Sequence, residues 1–190
     1  MKKQFVLTIC FFAFVATGFS QVAIRGGLNY SQVSVDGDGV DFGSDPKVGY
    51  HLGLQANVGL PGLFSVRPAL LYHLKGGDSE TGAGNTDLSY FEVPVNLGLA
   101  IGPESLRIIL EAGPYFGYLV NASSDLFTDP EDNLNKTDWG VNFGAVVELS
   151  NLGLGVNYSN SLSNIANEDR LNTAFKLTNG NLALFAYLKF

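Results

Sequence analysis

Apolar and polar residues alternate with a period of two along most of this chain. Between Val22 and Tyr30 the even positions carry Val, Ile, Gly, Leu and Tyr, whereas the odd positions carry Ala, Arg, Gly and Asn. The same alternation recurs in seven later segments, which are Val48–Leu60, Phe64–Lys75, Phe91–Ile101, Leu106–Leu119, Trp139–Leu149, Leu152–Asn160 and Asn181–Phe190. Because successive side chains of a strand point to opposite faces, the pattern predicts eight long strands. No segment has the 3.6-residue period of a helix, so we predict an all-β fold.

Short and long connections alternate between the predicted strands. Tight turns are expected at Leu60–Leu63, Gly102–Ser105 and Ser150–Asn151, and long polar segments at 31–47, 76–87, 121–138 and 161–180. An antiparallel up-and-down transmembrane β-barrel has this asymmetry, with short periplasmic turns and long outer loops. An even number of strands places both termini on the periplasmic side. The long segments carry most of the acidic residues, including Asp36, Asp38, Asp41, Asp45, Asp78, Glu80, Asp125, Asp129, Glu131 and Asp132.

Eight aromatic residues share the apolar parity and fall at the loop ends of the strands. They are Tyr30, Tyr50, Tyr72, Phe91, Phe116, Tyr118, Trp139 and Tyr158. Transmembrane barrels carry such an outward girdle where lipid meets water, and Phe64 and Phe190 would mark the opposite rim. The apolar parity is almost free of charge over all eight strands, which predicts a surface that faces lipid. A closed barrel also leaves no unpaired strand edge in the membrane.

The opposite parity carries the polar and charged residues and many glycines, and it predicts the interior. An eight-stranded barrel is just wide enough to be filled by side chains. We expect Arg25, Arg67 and Arg107 to pair there with Glu92 and Glu111, because an unpaired buried charge costs several kcal/mol (roughly). The sequence thus predicts a plugged polar interior rather than a diffusion pore.

The first twenty residues have the pattern of a secretory signal peptide. Lys2 and Lys3 precede an apolar run, and Gly18 and Ser20 supply small residues. We therefore expect cleavage after Ser20 and a barrel domain at 21–190.

The chain has 11 basic and 18 acidic residues, which gives a net charge of −7, and loss of the two lysines with the signal peptide makes the net charge −9. Such a charge argues against nucleic acid as a partner. Cys10 is the single cysteine, so the mature chain has no disulfide and no thiolate.

The order of several short motifs resembles the PorT-like small outer-membrane β-barrel proteins of Bacteroidota, which are barrels of the OmpA/OmpX type. The motifs are Arg25–Ser31, Gly49–Leu54, Pro68–Tyr72, Phe91–Asn96, Glu111–Tyr118 and Tyr187–Phe190. The resemblance implies an eight-stranded barrel in the cell outer membrane. It also implies that Phe190 is the terminal aromatic signal for the barrel-assembly machinery. Some members are linked to protein secretion or gliding, but the resemblance implies no reaction.

Catalytic and metal chemistry have weak support in the sequence. The two histidines, His51 and His73, fall on the interior parity. A lipid A deacylase-like hydrolase would need one of them beside a serine and a carboxylate, for which Ser89 and Glu92 are candidates. We expect structural histidines instead. The Asp36–Asp41 segment hints at calcium, but Val40 occupies a ligand position, and an acidic surface loop is the simpler interpretation. No phosphate-binding or dinucleotide fingerprint is present, and we expect no cofactor.

Three functions from different classes stay open at this point. The first is a non-enzymatic integral outer-membrane barrel that displays loops for adhesion, stabilises the envelope or assists a secretion complex. The second is an outer-membrane lipid-modifying enzyme. The third is a soluble lipocalin-like carrier, which would need an apolar interior. We favour the first, with outer-membrane lipid, the assembly machinery and a surface or secretion-complex protein as partners.

Overall fold

A computed structural model describes residues 20–36, 42–43, 45–78, 85–124, 135–163 and 176–190. The expected signal peptide before Ser20 lies outside the described residues. So do Asp38 and Asp41 of the calcium-like segment, and Glu80, Asp125, Asp129, Glu131 and Asp132 of the outer connections.

The described chain forms nine strands in sequence order. They are β1 (Ser20–Asp36), β2 (Phe42–Gly43), β3 (Asp45–Gly59), β4 (Phe64–Asp78), β5 (Asn85–Ile101), β6 (Arg107–Ser124), β7 (Thr137–Leu149), β8 (Leu152–Ser161) and β9 (Lys176–Lys189). All pairings are antiparallel between neighbours, and β9 pairs with β1 to close the ring. β2 is a two-residue segment against the end of β1. Within the described residues, the other eight strands form one closed barrel, which confirms the predicted fold class.

Three tight turns define one end of the barrel, here called the turn end; the opposite end is the loop end. The turns lie between Gly59 and Phe64, between Ile101 and Arg107, and between Leu149 and Leu152. Gly62 and Gly102 have φ of 82° and 115°, and Ser150 has φ of 52°. At Gly102 an added Cβ would also lie 2.7 Å from the Leu106 carbonyl oxygen, so both the positive φ and the close approach require glycine at this position. The predicted turn positions are confirmed.

The strands run further toward the loop end than their apolar alternation predicts. β1 continues from Tyr30 to Asp36, and β5 begins at Asn85 instead of Phe91. Our strand boundaries were therefore too short at this end. Beyond the apolar band, both faces of a strand carry polar residues. The apolar–polar alternation therefore disappears there, although the backbone pairing continues.

The wall of the barrel separates an apolar outer face from a polar interior. Leu54 is 55% exposed while the next residue, Gln55, is 1% exposed, and this alternation holds around the ring. The same pattern reverses the arrangement of a water-soluble protein, whose large apolar side chains pack inside. Among the described residues, no helix is long and apolar enough to cross a membrane.

One irregularity near the loop end changes which side chains face inward. Ser89 pairs with Asn121 and Tyr90 pairs with Leu119, so Val120 has no partner and forms a bulge in β6. Parity shifts by one residue there. As a result Ala122 faces inward and joins Leu88, Tyr90 and Leu119, which follow the regular inward parity, in a small buried apolar cluster inside the barrel mouth.

Candidate functional site

The polar interior holds the chemistry-bearing side chains of the barrel, and a glutamate organises its middle layer. Glu111 Oε2 lies 2.7 Å from Arg67 Nη1, and Glu111 Oε1 lies 3.8 Å from Arg25 Nη1. Arg25 Nη1 also donates to Gln55 Oε1 at 3.2 Å, and Arg67 Nε donates to Asn57 Oδ1 at 2.8 Å. All three charged groups are buried, so water screens them little. Two guanidinium groups share one carboxylate in this layer.

Aromatic rings of β9 support the two arginines. The guanidinium carbon of Arg25 lies 3.5 Å from the centroid of the Phe185 ring, and that of Arg67 lies 5.2 Å from the Tyr187 ring centroid. Cations favour the faces of aromatic rings, and more so away from water. Since Arg25 is on β1 and Phe185 on β9, this contact also crosses the seam that closes the barrel.

A second glutamate organises the layer toward the loop end. Glu92 accepts from Lys75 through Oε1, and its Oε2 lies 3.4 Å from His73 Nε2. His51 and His73 are direct partners in the β3–β4 ladder, and their rings stack with centroids 4.9 Å apart. Asn29 holds both rings, because its Oδ1 accepts from His51 Nδ1 at 2.7 Å and its Nδ2 donates to His73 Nδ1 at 3.2 Å. This layer is therefore tied together by β1, β3, β4 and β5.

A third glutamate organises the layer at the turn end. Glu148 Oε1 accepts from Arg107 Nε at 2.5 Å and from Lys189 Nζ at 2.9 Å, while its Oε2 accepts from the Tyr187 hydroxyl. Glu148 is 1% exposed. Its partners lie on β6 and β9, so one carboxylate joins three strands through side chains.

The loop end has a hydroxyl-rich cluster around Asp138, which is fully buried. Its Oδ1 accepts from Ser161 Oγ at 2.5 Å and from Ser163 Oγ at 2.8 Å, and its Oδ2 accepts from the Tyr115 hydroxyl at 3.3 Å. Ser163 Oγ also accepts from the Trp139 backbone N–H at 3.1 Å. These contacts hold the chain just beyond β8 against the start of β7.

The structure distributes the five predicted network residues over all three glutamate layers. Arg25, Arg67 and Glu111 meet in the middle layer, and Glu92 lies with Lys75. Arg107 does not join them, because it pairs directly across the β6–β7 ladder with Glu148. The contributions of Lys75, Glu148, Lys189 and Asp138 were missed. Lys75, Glu148 and Lys189 lie at positions whose parity predicts the interior, but only the strand register shows which charges meet. Asp138 lies in a segment that the sequence predicted to be a loop.

The arrangement that a serine hydrolase would need is not assembled in the described residues. His51 and His73 are 2% and 4% exposed, and Glu92, which lies beside His73, is bound to Lys75. Ser89 instead accepts from the Tyr72 hydroxyl at 3.0 Å, and Tyr72 belongs to the outward parity. Likewise, across the part of the chain that the structure describes, no three His, Cys, Asp or Glu side chains form a group that could hold a metal ion.

Comparisons with known proteins agree with this architecture. The family described as outer membrane protein beta-barrel domain matches residues 15–167, which is most of the chain. The chain belongs to this outer-membrane β-barrel family. No match was found among curated proteins. The family membership implies that this barrel resides in the outer membrane.

Solved structures of small outer-membrane barrels are similar to this outer-membrane barrel. Neisserial surface protein A is 12% identical with a TM-score of 0.50, and the match covers 89% of this chain and 97% of that chain. Ail, the attachment invasion locus protein of Yersinia pestis, is 15% identical with a TM-score of 0.49 and coverage of 90% and 99%. The N-terminal β-barrel domain of Pseudomonas aeruginosa OprF is 11% identical with a TM-score of 0.41 and coverage of 90% and 99%. At such identities the likeness concerns the fold alone.

The outer face of this outer-membrane barrel has the height of a bilayer core. Ile108 and Tyr118 lie ten residues apart on β6, and both are about half exposed. At about 3.4 Å per residue and a tilt near 40°, ten residues rise about 26 Å, close to the apolar band of about 25 Å typical of such barrels. At the tilt typical of such barrels, the apolar face is therefore about as tall as the apolar band of an outer-membrane barrel.

The predicted aromatic girdle lies on the outer face near the loop end. Seven of its members are between 46% and 53% exposed: Tyr30, Tyr50, Phe91, Phe116, Tyr118, Trp139 and Tyr158. Tyr72 is half-buried; its ring lies edge-on to that of Phe91, with the centroids 5.6 Å apart, and its hydroxyl donates to Ser89 Oγ. Three pairs of girdle residues are direct partners on adjacent strands: Tyr72 with Phe91, Phe91 with Tyr118, and Phe116 with Trp139. That these rings anchor the protein at the lipid–water interface stays a prediction.

Proposed function

We propose that this protein is a non-enzymatic surface barrel that presents its outer connecting segments to the environment. Such display would serve adhesion, envelope integrity or a secretion complex. The observation that carries the proposal is the filled interior, where buried glutamates contact arginines, lysines and a histidine of other strands. An interior occupied in this way leaves the outer segments as the part free to recognise a partner.

The distribution of charge supports an interaction role for the loop end. Fourteen of the 18 acidic residues fall in the four predicted outer segments, whereas the turns at the other end are short. β1, β5 and β6 continue beyond the girdle residues Tyr30, Phe91 and Tyr118, so these strands extend past the predicted membrane boundary. An acidic outer surface favours a basic or cation-bridged partner.

A closer kinship with the PorT-like proteins of Bacteroidota is part of this proposal. It would make a secretion-associated role the preferred one, with cleavage of the signal peptide after Ser20. Phe190 would be the residue that the barrel-assembly machinery reads. Phe190 is 72% exposed, and its N–H donates to the Val22 carbonyl at 2.9 Å, which places this residue beside β1 at the turn end.

A complementation experiment in the source bacterium tests the proposal. The gene is deleted and replaced by the wild-type gene or by one in which residues 125–134 are exchanged for a short Gly-Ser linker. Adhesion, detergent sensitivity and the set of secreted proteins are measured, together with heat-modifiable migration on gels as proof that both barrels fold. We expect the linker variant to fold and to fail in the function that deletion abolishes.

Two outcomes would contradict display as the function. One is full rescue by variants in which each of the four outer segments has been shortened in turn. The other is a lipid A acylation pattern that changes on deletion and is not restored by His51→Ala or His73→Ala, which would make the protein a lipid-modifying enzyme.

A further inference from the structure

The middle layer of the interior has more positive charge than its carboxylate balances. Arg25 and Arg67 share Glu111, so this layer carries one net positive charge. The other interior glutamates are engaged elsewhere, Glu92 with Lys75 and Glu148 with Arg107 and Lys189. Both arginines are at most 4% exposed. A buried charge without a counter-charge is strongly unfavourable, so this layer favours an added anion.

The two guanidinium groups also retain donors that the surrounding side chains do not use. Within the described residues, Arg25 Nε and Arg67 Nη2 have no hydrogen-bond partner. The 2.7 Å contact of Arg67 Nη1 with Glu111 is a charge contact that lacks hydrogen-bond geometry. Guanidinium groups carry five N–H donors and no acceptor, so a ligand that completes them must accept hydrogen bonds.

A small cavity lies against Arg25 and is lined mainly by neutral polar groups. Its walls include Arg25, Asn96, Asn142, Asn157, Ser159 and Glu92. It has room for about one water molecule or one ion of similar size. The Asn142 amide donates to the Gly113 carbonyl at 3.2 Å, and the Asn157 amide donates to Asn142 Oδ1 at 3.1 Å. Each amide nitrogen has a second N–H for a further acceptor.

We propose that this cavity binds one small monovalent inorganic anion, chloride being the probe, held by Arg25 and by the amides of Asn142 and Asn157. The anion supplies a counter-charge for the middle layer and an acceptor for the free Arg25 Nε–H; Arg67 does not line the cavity and gains only through the balance of charge. Glu92 does not oppose it, because Lys75 neutralises that carboxylate. A divalent cation is disfavoured at the same place, since it would add to an interior that is already positive. The site is independent of the display function and adds a ligand to the interior itself.

The test compares chloride with gluconate at equal ionic strength, using the full mature barrel folded in detergent micelles. Gluconate is too large for the cavity, so the comparison separates binding from charge screening. Chloride at about ten times its dissociation constant should raise the folded-to-unfolded ratio about tenfold over gluconate. Arg25→Gln should abolish the difference, whereas the matched variant Arg107→Gln, which removes a charge from the turn-end layer, should retain it.

Crystals of the wild-type barrel grown in bromide provide a readout that does not depend on any variant folding. Anomalous scattering should show one bromide within hydrogen-bond distance of the Arg25 guanidinium. Equal stability in chloride and gluconate, a full chloride effect in Arg25→Gln, or bromide at surface positions as an adventitious ion only would each overturn the proposal.

Discussion

At the scale of single residues, the narrow interior is made possible by glycines that face large side chains. The clearest case is Gly153 on β8, where an added Cβ would overlap the ring of Tyr187. Tyr187 cannot simply move away, because its hydroxyl donates to the buried Glu148 and its face supports Arg67. Gly153 is therefore a packing requirement of the charged interior, and no turn or unusual φ is involved.

Gly153→Ala should destabilise the barrel by about 1 to 3 kcal/mol, since overpacking forces side chains from their rotamers. The measurement is the denaturant midpoint of the barrel in detergent micelles. Gly59→Ala is the matched control, because an added Cβ there meets nothing within 4 Å. Equal effects of the two substitutions would show that Tyr187 is not held in place.

Glu111→Gln should lower the free energy of unfolding by about 3 to 5 kcal/mol, because it leaves Arg25 and Arg67 buried without their carboxylate. Asp87→Asn is the matched control. Asp87 pairs with Lys47 at 2.9 Å, but its side chain is 47% exposed, so we expect a loss of at most about 1 kcal/mol. Both are compared by their unfolding midpoints, and a small effect at Glu111 would mean that the middle layer does not stabilise the fold.

At the scale of elements, the two-residue turn between β7 and β8 depends on one unusual backbone conformation. Ser150 has φ of 52°, which β-branched residues strongly disfavour, and Asn151 is not among the residues with positive φ. Ser150→Val should therefore destabilise the hairpin by about 1 to 2 kcal/mol. Asn151→Val should have the smaller effect when both unfolding midpoints are measured. The reverse order would contradict the assigned turn geometry.

The sequence predicted the elements well in the membrane and poorly outside it. Period-two alternation located Leu52, Leu54 and their neighbours on the outer face, because lipid imposes a strict apolar requirement there. The bulge at Val120 left no signal, since one extra residue between Leu119 and Asn121 does not change composition. The sequence also did not show which charges pair, because Arg107 meets Glu148 only through the register of β6 and β7.

At the scale of the whole molecule, the charged layers should make the barrel a poor conductor. Glu111, Glu92 and Glu148 each join side chains from different strands across the interior. In planar bilayers the wild-type protein should therefore show no large, stable conductance at neutral pH. The combined variant Arg25→Ala, Arg67→Ala and Glu111→Ala removes the middle layer and should increase ion flow if it folds. A wide wild-type pore would contradict the filled interior.

The most direct test of the membrane-barrel account uses Trp139, the single tryptophan of the chain, which is 53% exposed on the outer face near the loop end. Its fluorescence is measured in vesicles that contain lipids brominated at different depths, and with iodide in the water. We predict strong quenching by bromine near the headgroups, weaker quenching by bromine at the chain ends, and little quenching by iodide. Efficient quenching by iodide with none by brominated lipid would contradict the account, because Trp139 would then face water.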